Sequence, residues 1–90
     1  MLKTVSIIIT GKVQGVYYRQ SAKEKARELN VTGEVRNMPD DTVSVIATGT
    51  TEQLNQLIEW CKQGPTRARV INVTVDEIQT ALFDKFSIVR

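Results

Sequence analysis

The feature that most constrains this chain is an apolar stretch that ends at a pair of closely spaced glycines. Val5, Ile7 and Ile9 alternate with more polar neighbours within residues 2–10, which predicts a β-strand with one buried face. The next residues are Gly11-Lys12-Val13-Gln14-Gly15-Val16-Tyr17-Tyr18-Arg19. Glycine permits the backbone to turn sharply, so this stretch predicts a tight connection out of the strand.

An amphipathic helix follows the turn. Its apolar positions fall at helical spacing: Tyr18, Ala22, Ala26 and Leu29. Ser21 and Glu24 have the spacing of a capping box, which would start the helix at Ser21. The apolar spacing begins earlier, however, and favours a helix that contains Arg19 in its first turn. Asn30 is expected to close this helix.

This strand, turn and helix predict a binding site for an oxyanion such as phosphate. A helix N-terminus has free N–H groups and a partial positive charge, and successive loop N–H groups can form an anion nest. Arg19 adds a forked donor that suits phosphate oxygens. The nucleotide loop GxxxxGK[ST] is excluded because Val16 and Tyr17 follow Gly15, and the pattern GxGxxG is absent. By spacing alone, a turn followed by a surface arginine remains the simpler interpretation.

The rest of the sequence alternates between strand and helix patterns. In order, it predicts a strand around residues 31–36, a turn over 37–41, a strand over 42–48, a helix capped by Thr50 and Gln53 and ended by Gly64-Pro65, a strand over 69–75, a polar connection over 76–84 and a short strand over 85–90. In the strand over 69–75, Ile71, Val73 and Val75 are expected on one face. This order predicts one domain over residues 1–90, a ferredoxin-like α+β sandwich with two helices on one face of an antiparallel sheet.

Composition narrows the function. Twelve Lys and Arg residues oppose ten Asp and Glu residues, giving a net charge of +2 without a basic block, which disfavours a nucleic-acid partner. No run of 18 apolar residues and no signal-peptide pattern occurs, so we expect neither a membrane partner nor export. The single cysteine, Cys61, agrees with a reducing cytoplasm. We expect a cytoplasmic monomer.

The chain contains no histidine, which excludes Ser-His-Asp and Cys-His catalysis and histidine-containing zinc sites. A single cysteine excludes thiolate metal cages. Any catalysis would therefore rest on binding, positioning and electrostatics. We expect no metal and no cofactor, as the family resemblance described below implies.

The stretch from Gly11 to Arg19 resembles the acylphosphatase signature, which reads Gly-x-Val-Gln-Gly-Val, one variable residue, an aromatic residue and Arg. The later Gly33-Glu34-Val35-Arg36-Asn37 and Thr42-Val43 resemble the second signature of that family. Gly64-Pro65, after the second predicted helix, and Phe86-x-Ile88, near the end of the chain, also resemble the sequences of that family. The resemblance extends over nearly the whole chain, although only the first motif is specific.

The resemblance implies a ferredoxin-like enzyme that hydrolyses acyl phosphates to a carboxylate and inorganic phosphate without a metal. It implies that Arg19 binds the phosphoryl group and that Asn37 holds the attacking water. It also implies that backbone N–H groups of the loop surround the phosphate, namely those of Gln14, Gly15, Val16, Tyr17 and Tyr18.

Two residues depart from the family pattern. Glu34 replaces the usual aromatic residue, and a carboxylate near the substrate would repel it, so we expect strand alternation to turn Glu34 away. Asp41 replaces the usual glycine of the hairpin turn, which changes the preferred backbone of that turn near Asn37.

Simpler interpretations exist for several of these residues. Without the resemblance, Asn37 would be interpreted as a residue that favours turns, and Gln14 as a side chain that stabilises its own loop. Tyr18 and Cys61 would be interpreted as residues of the hydrophobic core. Two other functional classes remain open. RNA-recognition domains have the same order of elements but stack bases on strand aromatics, which the outer face of residues 42–48 lacks. The second open class is a non-catalytic regulatory module that binds a small anion.

Overall fold

The computed structural model describes all residues from Met1 to Arg90. Its elements, in chain order, are β1 (Lys3–Lys12), α1 (Tyr18–Glu28), β2 (Thr32–Asn37), β3 (Val43–Gly49), α2 (Thr51–Gln63), β4 (Arg69–Ile78) and β5 (Phe86–Val89). This order confirms the predicted alternation of strands and helices. Neither helix has the length and apolar character that a membrane-spanning segment needs.

One five-stranded sheet, in the order β4-β1-β3-β2-β5, supports both helices on one face. Val5, Ile7 and Ile9 of β1 are buried against this face, as their alternation predicts. Helix α1 packs over β2 and β5, and α2 packs over β4, β1 and β3. Their apolar stripes join the strand side chains in a single core, which confirms the ferredoxin-like sandwich.

The sheet is mixed rather than antiparallel, which corrects the prediction. Strand β5 pairs with β2 in parallel, from Gly33 opposite Phe86 to Arg36 opposite Val89. Strand β4 ends opposite Thr4, at the end of the sheet where β1 and β2 begin. The connection crosses the sheet there, because the Ala81 N–H donates to the Thr4 hydroxyl and the Ala81 carbonyl oxygen accepts from the Thr48 hydroxyl. Strand β5 therefore starts at the same end of the sheet as β2 and runs parallel to it.

A β-bulge in β4 overturns the prediction that Ile71, Val73 and Val75 share one face. The register with β1 shifts between Thr10, opposite Asn72, and Gly11, opposite Val70, so Ile71 has no partner. Ile71 is 80% exposed, whereas Val70 and Val73 pack against the core. A side chain at Gly11 would collide with the backbone of Arg69, which explains why glycine occupies this close crossing.

The helix boundaries follow the local sequence signals in most cases. Helix α1 begins at Tyr18 with Arg19 in its first turn, and no side chain caps it, so the Ser21 start is wrong. Asn30 closes α1 in the left-handed conformation, with φ of 61°. The capping box of α2 is present: Thr50 N–H donates to Gln53 at 2.9 Å, and Gln53 N–H donates to the Thr50 hydroxyl at 3.2 Å.

Tyr18 joins the start of α1 to the end of α2. Its ring is 1% exposed and tilts against Trp60, with ring centroids 5.3 Å apart. Its hydroxyl donates to the Cys61 carbonyl oxygen at 2.7 Å. In a continuing helix that oxygen would accept from the N–H of residue 65, but Pro65 has none. Tyr18 therefore satisfies a carbonyl that the end of α2 leaves unpaired.

Gln14 joins the loop between β1 and α1 to the hairpin between β2 and β3. Its side-chain amide donates to the carbonyl oxygens of Met38 and Thr42, each at 2.9 Å. Met38 and Thr42 also pair with each other across the turn, through a 2.8 Å hydrogen bond from the Met38 N–H. Gln14 thereby fixes the loop beside the end of β2.

We predict that Tyr18→Phe lowers the free energy of unfolding by about 1–3 kcal/mol, because it removes the only donor to the buried Cys61 carbonyl oxygen. Urea denaturation followed by circular dichroism measures this loss. Tyr17→Phe is the matched control, since Tyr17 is 64% exposed and its change should be within about 0.5 kcal/mol. Equal unfolding midpoints for the two variants would contradict this role for the Tyr18 hydroxyl.

We predict that Gln14→Met lowers stability by about 1–2 kcal/mol, because it keeps the side-chain length but removes both bonds to the hairpin. The same denaturation experiment tests it. Gln79→Met, on the exposed connection after β4, is the control. Hydrogen exchange at the Met38 amide should also accelerate in Gln14→Met, and an unchanged rate would show that Gln14 does not fix the turn.

Candidate active site

A cavity of about 220 Å³ lies between the loop before α1 and the ends of β2 and β5. Arg19 enters it from the first turn of α1, and Asn37 enters it from the end of β2. Gly15, Tyr17 and Tyr18 line the same cavity, and no aspartate or glutamate does. The two side chains singled out in the sequence, Arg19 and Asn37, therefore share one small cavity.

The loop backbone offers hydrogen-bond donors that the protein itself does not use. Residues 14–17 lie between β1 and α1, and no backbone hydrogen bond uses an N–H group of this range. Gly15 and Tyr17 have φ values of 72° and 68°, in the left-handed region. Alternation between left-handed and ordinary residues turns successive N–H groups toward one side, which is the geometry of an anion nest. The first-turn N–H groups of α1 also lack helical partners.

Arg19 places a cation in the first turn of α1, where the helix dipole favours an anion. The N-terminal end of α1 carries a partial positive charge, and no acidic residue lies in its first turn. Arg19 is half-buried and makes no salt bridge, since all four ion pairs of the chain join other residues. Its guanidinium and the loop N–H groups thus form a positive site without a counter-ion from the protein.

Asn37 supplies an unsatisfied amide beside this positive site. Its Oδ1 is buried and has no hydrogen-bond partner. Leaving a buried acceptor unpaired costs about 1–3 kcal/mol, so such a group calls for a functional explanation. An amide can accept from a water and donate to an oxygen at the same time. Asn37 therefore has the chemistry to orient a water molecule in the cavity.

The two departures from the family pattern leave this arrangement intact. Glu34 and Asn37 lie on opposite faces of β2, and Glu34 accepts a 2.7 Å hydrogen bond from Arg36, which confirms the expected alternation. Asp41 adopts φ of 72°, a conformation that glycine prefers and that aspartate tolerates. The hydroxyl of Thr42 donates to Asp40 at 2.7 Å and lowers the pKa of that carboxyl, which stabilises the turn.

The structure separates the predicted loop residues into two groups. Gly15, Tyr17 and Tyr18 line the cavity, whereas the Val16 side chain is buried in the core and the Gln14 side chain faces the hairpin. Only the backbone N–H groups of Gln14 and Val16 are therefore available to an anion. The interpretation of Gln14 as a loop-stabilising side chain agrees with its two bonds.

Sequence reasoning missed four residues of the cavity: Val13, Gln20, Ile88 and Arg90. Arg90 lies one position beyond the Arg36–Val89 pair, which brings it beside Asn37. That proximity depends on parallel pairing between β2 and β5, whereas we expected an antiparallel sheet. Gln20 could have been found from the helix start, because it follows Arg19 in the first turn.

The two buried titratable groups, Tyr18 and Cys61, do not exchange protons near neutral pH. Burial raises the pKa of the Cys61 thiol to about 12 and also raises the pKa of Tyr18 well above its ordinary value. Both groups therefore stay protonated near neutral pH. No group of three or more Cys, Asp or Glu side chains that could hold a metal ion comes together in the chain.

Comparisons with known proteins find relatives along nearly the whole chain. The family model described as Acylphosphatase matches residues 5–88. A protein named acylphosphatase from Methylococcus capsulatus is 44% identical over 90 residues, which cover 99% of this chain and 98% of the relative.

Two solved acylphosphatase structures have the same fold. The structure from Coxiella burnetii has a TM-score of 0.95 and 35% identity, covering 98% of this chain and 93% of that one. The structure from Bacillus subtilis has a TM-score of 0.94 and 32% identity, and each chain is covered completely. The family match, which takes in both the loop before α1 and the end of β2, shows that this chain belongs to the acylphosphatase family.

Proposed function

We propose that this chain hydrolyses acyl phosphates to a carboxylate and inorganic phosphate without a metal, with Arg19 binding the phosphoryl group and Asn37 orienting the attacking water. Membership of the acylphosphatase family supports the reaction. The observation that carries the residue roles is that a cationic side chain without a counter-ion and an amide with an unsatisfied oxygen line one cavity.

The reaction suits a site of this kind. An acyl phosphate is a mixed anhydride with a good leaving group, so the site needs no strong acid. Phosphoryl transfer depends mainly on positioning and on stabilising charge on the phosphoryl oxygens. Arg19 and the loop N–H groups supply that stabilisation, and a single such donor is typically worth about 10²–10³ in rate.

The proposed reaction steps use the donors and acceptors that line the cavity. The phosphoryl oxygens occupy the loop and contact Arg19, while Asn37 holds a water in line with the leaving oxygen. The water oxygen bonds to phosphorus as the bond to the acyl oxygen breaks, and the carboxylate departs. The chain has no histidine and no carboxylate lines the cavity, and we propose, as the family resemblance implies, that a phosphate oxygen of the substrate accepts the proton of the water.

We further propose that residues 1–90 act as a single monomeric domain in the cytoplasm. One core supports both sides of the cavity, so no second unit is needed to complete it. The only cysteine is free and buried, which suits a reducing compartment.

We predict that Arg19→Ala and Asn37→Ala each lower kcat/KM for benzoyl phosphate by about 10²–10³ or more. Arg19→Ala should also raise the inhibition constant of inorganic phosphate, whereas Asn37→Ala should mainly lower kcat. Arg67→Ala and Asn72→Ala, at exposed positions away from the cavity, are the matched controls. Phosphate release from benzoyl phosphate measures the rates.

These two variants should fold normally, because neither side chain makes a hydrogen bond or ion pair within the protein. Their melting temperatures should stay within a few degrees of wild type. A variant that hydrolyses benzoyl phosphate at the wild-type rate would refute the role of its residue. A wild-type chain that binds phosphate but releases none from benzoyl phosphate would identify a regulatory module instead.

We predict that Gly15→Ala and Gly15→Asn both weaken inhibition by phosphate. No protein atom lies within 4 Å of a Cβ placed at Gly15, so the added atom would occupy open space at the loop surface, where the anion binds. Only alanine should also lower stability, by about 1–2 kcal/mol, because asparagine tolerates a left-handed φ. Unchanged inhibition constants in both variants would show that the anion does not contact this part of the loop.

A further inference from the structure

The end of α2 packs directly against the residue that starts α1. Gly64 ends α2 with φ of 68° and ψ of −172°, a combination that is nearly confined to glycine. A Cβ added to Gly64 would lie 2.8 Å from Cε2 of Tyr18 and 3.3 Å from Cβ of Ala68, whereas ordinary contacts begin at 3.4 Å. Gly64 therefore leaves the space that the edge of the Tyr18 ring needs.

The Tyr18 ring is held on several sides and cannot easily give way. It is buried and tilts against Trp60, and its hydroxyl donates to the Cys61 carbonyl oxygen at 2.7 Å. That oxygen belongs to the last turn of α2, where carbonyl groups lack partners within the helix. A displacement of the ring would therefore pass into the backbone of Tyr18 instead of being absorbed by rotation of the side chain.

The backbone of Tyr18 belongs to the part of the cavity that faces an anion. Tyr18 is the first residue of α1, it lines the cavity with Gly15 and Tyr17, and Arg19 follows it directly. Its N–H lies in the first turn of the helix, where N–H groups lack helical partners. The buried ring is therefore the anchor nearest to both the first-turn donors and the guanidinium of Arg19.

We propose that Gly64 and Tyr18 are positioning residues for the phosphoryl group, so that the end of α2 determines where the first turn of α1 holds the anion. This inference rests on the proposed function, in which that turn binds phosphate. Gly64 does not line the cavity, and the Tyr18 hydroxyl is bonded to α2, so both act through the backbone of α1. A misplacement of about 1 Å can cost about 10² in rate, so a smaller shift at Tyr18 still weakens the hold on the anion.

The first test is Gly64→Ala, whose added Cβ must displace the Tyr18 ring. We expect the inhibition constant of inorganic phosphate to rise about tenfold, and KM for benzoyl phosphate to rise with it. Both are measured on folded protein well below its unfolding transition. A loss of stability alone lowers the amount of folded protein but leaves the inhibition constant unchanged.

Asn30→Ala is the matched control for backbone strain. Asn30 also has a left-handed φ, of 61°, but it closes α1 at the end far from the cavity. Alanine in this conformation should lower stability, yet the inhibition constant of phosphate should stay within about twofold of wild type.

Tyr18→Phe removes the bond to α2 and keeps the ring. It should raise the inhibition constant of phosphate about threefold. In the double variant Gly64→Ala/Tyr18→Phe, the ring is free to tilt away from the new Cβ. The double variant should therefore show a rise of about tenfold, and not the product of about thirtyfold that independent effects would give. Circular dichroism verifies that each variant is folded.

The outcomes separate this inference from the proposed function. A wild-type inhibition constant in Gly64→Ala, or effects that multiply in the double variant, would overturn the positioning role. If Gly64→Ala does not fold, a wild-type constant in Tyr18→Phe would overturn it. A wild-type chain that binds phosphate without hydrolysing benzoyl phosphate would overturn the function only, and calorimetric titration of the same variants with phosphate would then decide the positioning role. A wild-type chain that binds no phosphate would overturn both.

Discussion

The site depends on a stretch of backbone whose N–H groups the protein does not pair. Between β1 and α1, residues 14–17 make no backbone hydrogen bond through their N–H groups, and two of them hold a positive φ. Such a loop is costly, so the surrounding structure must hold it in place. Val13 and Val16 are buried in the core on either side of Gly15, and Gln14 is bonded to the hairpin. Tyr18 fixes the start of the helix against α2.

The second half of the site is positioned by strand alternation rather than by local strain. Val35 and Asn37 lie on the same face of β2, so the face that buries Val35 beneath α1 also directs Asn37 toward the helix. The alternation directs Glu34 to the other face, where it pairs with Arg36. A shift of one residue in the pairing of β2 with β3 would exchange these faces and remove the amide from the cavity. The hairpin that fixes this register is the one that Gln14 contacts.

Most of the fold could be predicted from the sequence because its signals are local. The alternation of Val5, Ile7 and Ile9, the apolar spacing from Tyr18 to Ala26, and the capping box at Thr50 each act within a few residues. Arg19 and the loop could be singled out for the same reason. The pairing of β5 with β2 could not, because it depends on a connection that crosses the whole sheet. Arg90 was therefore missed beside Asn37, and the bulge at Ile71, which depends on the close crossing at Gly11, was missed too.

The first turn of α1 carries Arg19 and no acidic side chain, so the protein leaves the site positively charged. An aspartate or glutamate in the first turn of α1 would stabilise the helix by about 0.3–1 kcal/mol, yet that turn has none and carries Arg19 instead. A carboxylate there would occupy the loop donors and neutralise the guanidinium, so it would compete with any bound anion. The chain thus forgoes a small gain in helix stability, which a phosphoryl group bound at the proposed site would recover. Because such a ligand binds only the folded state, its binding free energy adds to the stability of the fold, by about 2.7 kcal/mol at a concentration one hundred times Kd. Under the proposed function, stability and ligand binding are therefore coupled through the loop before α1.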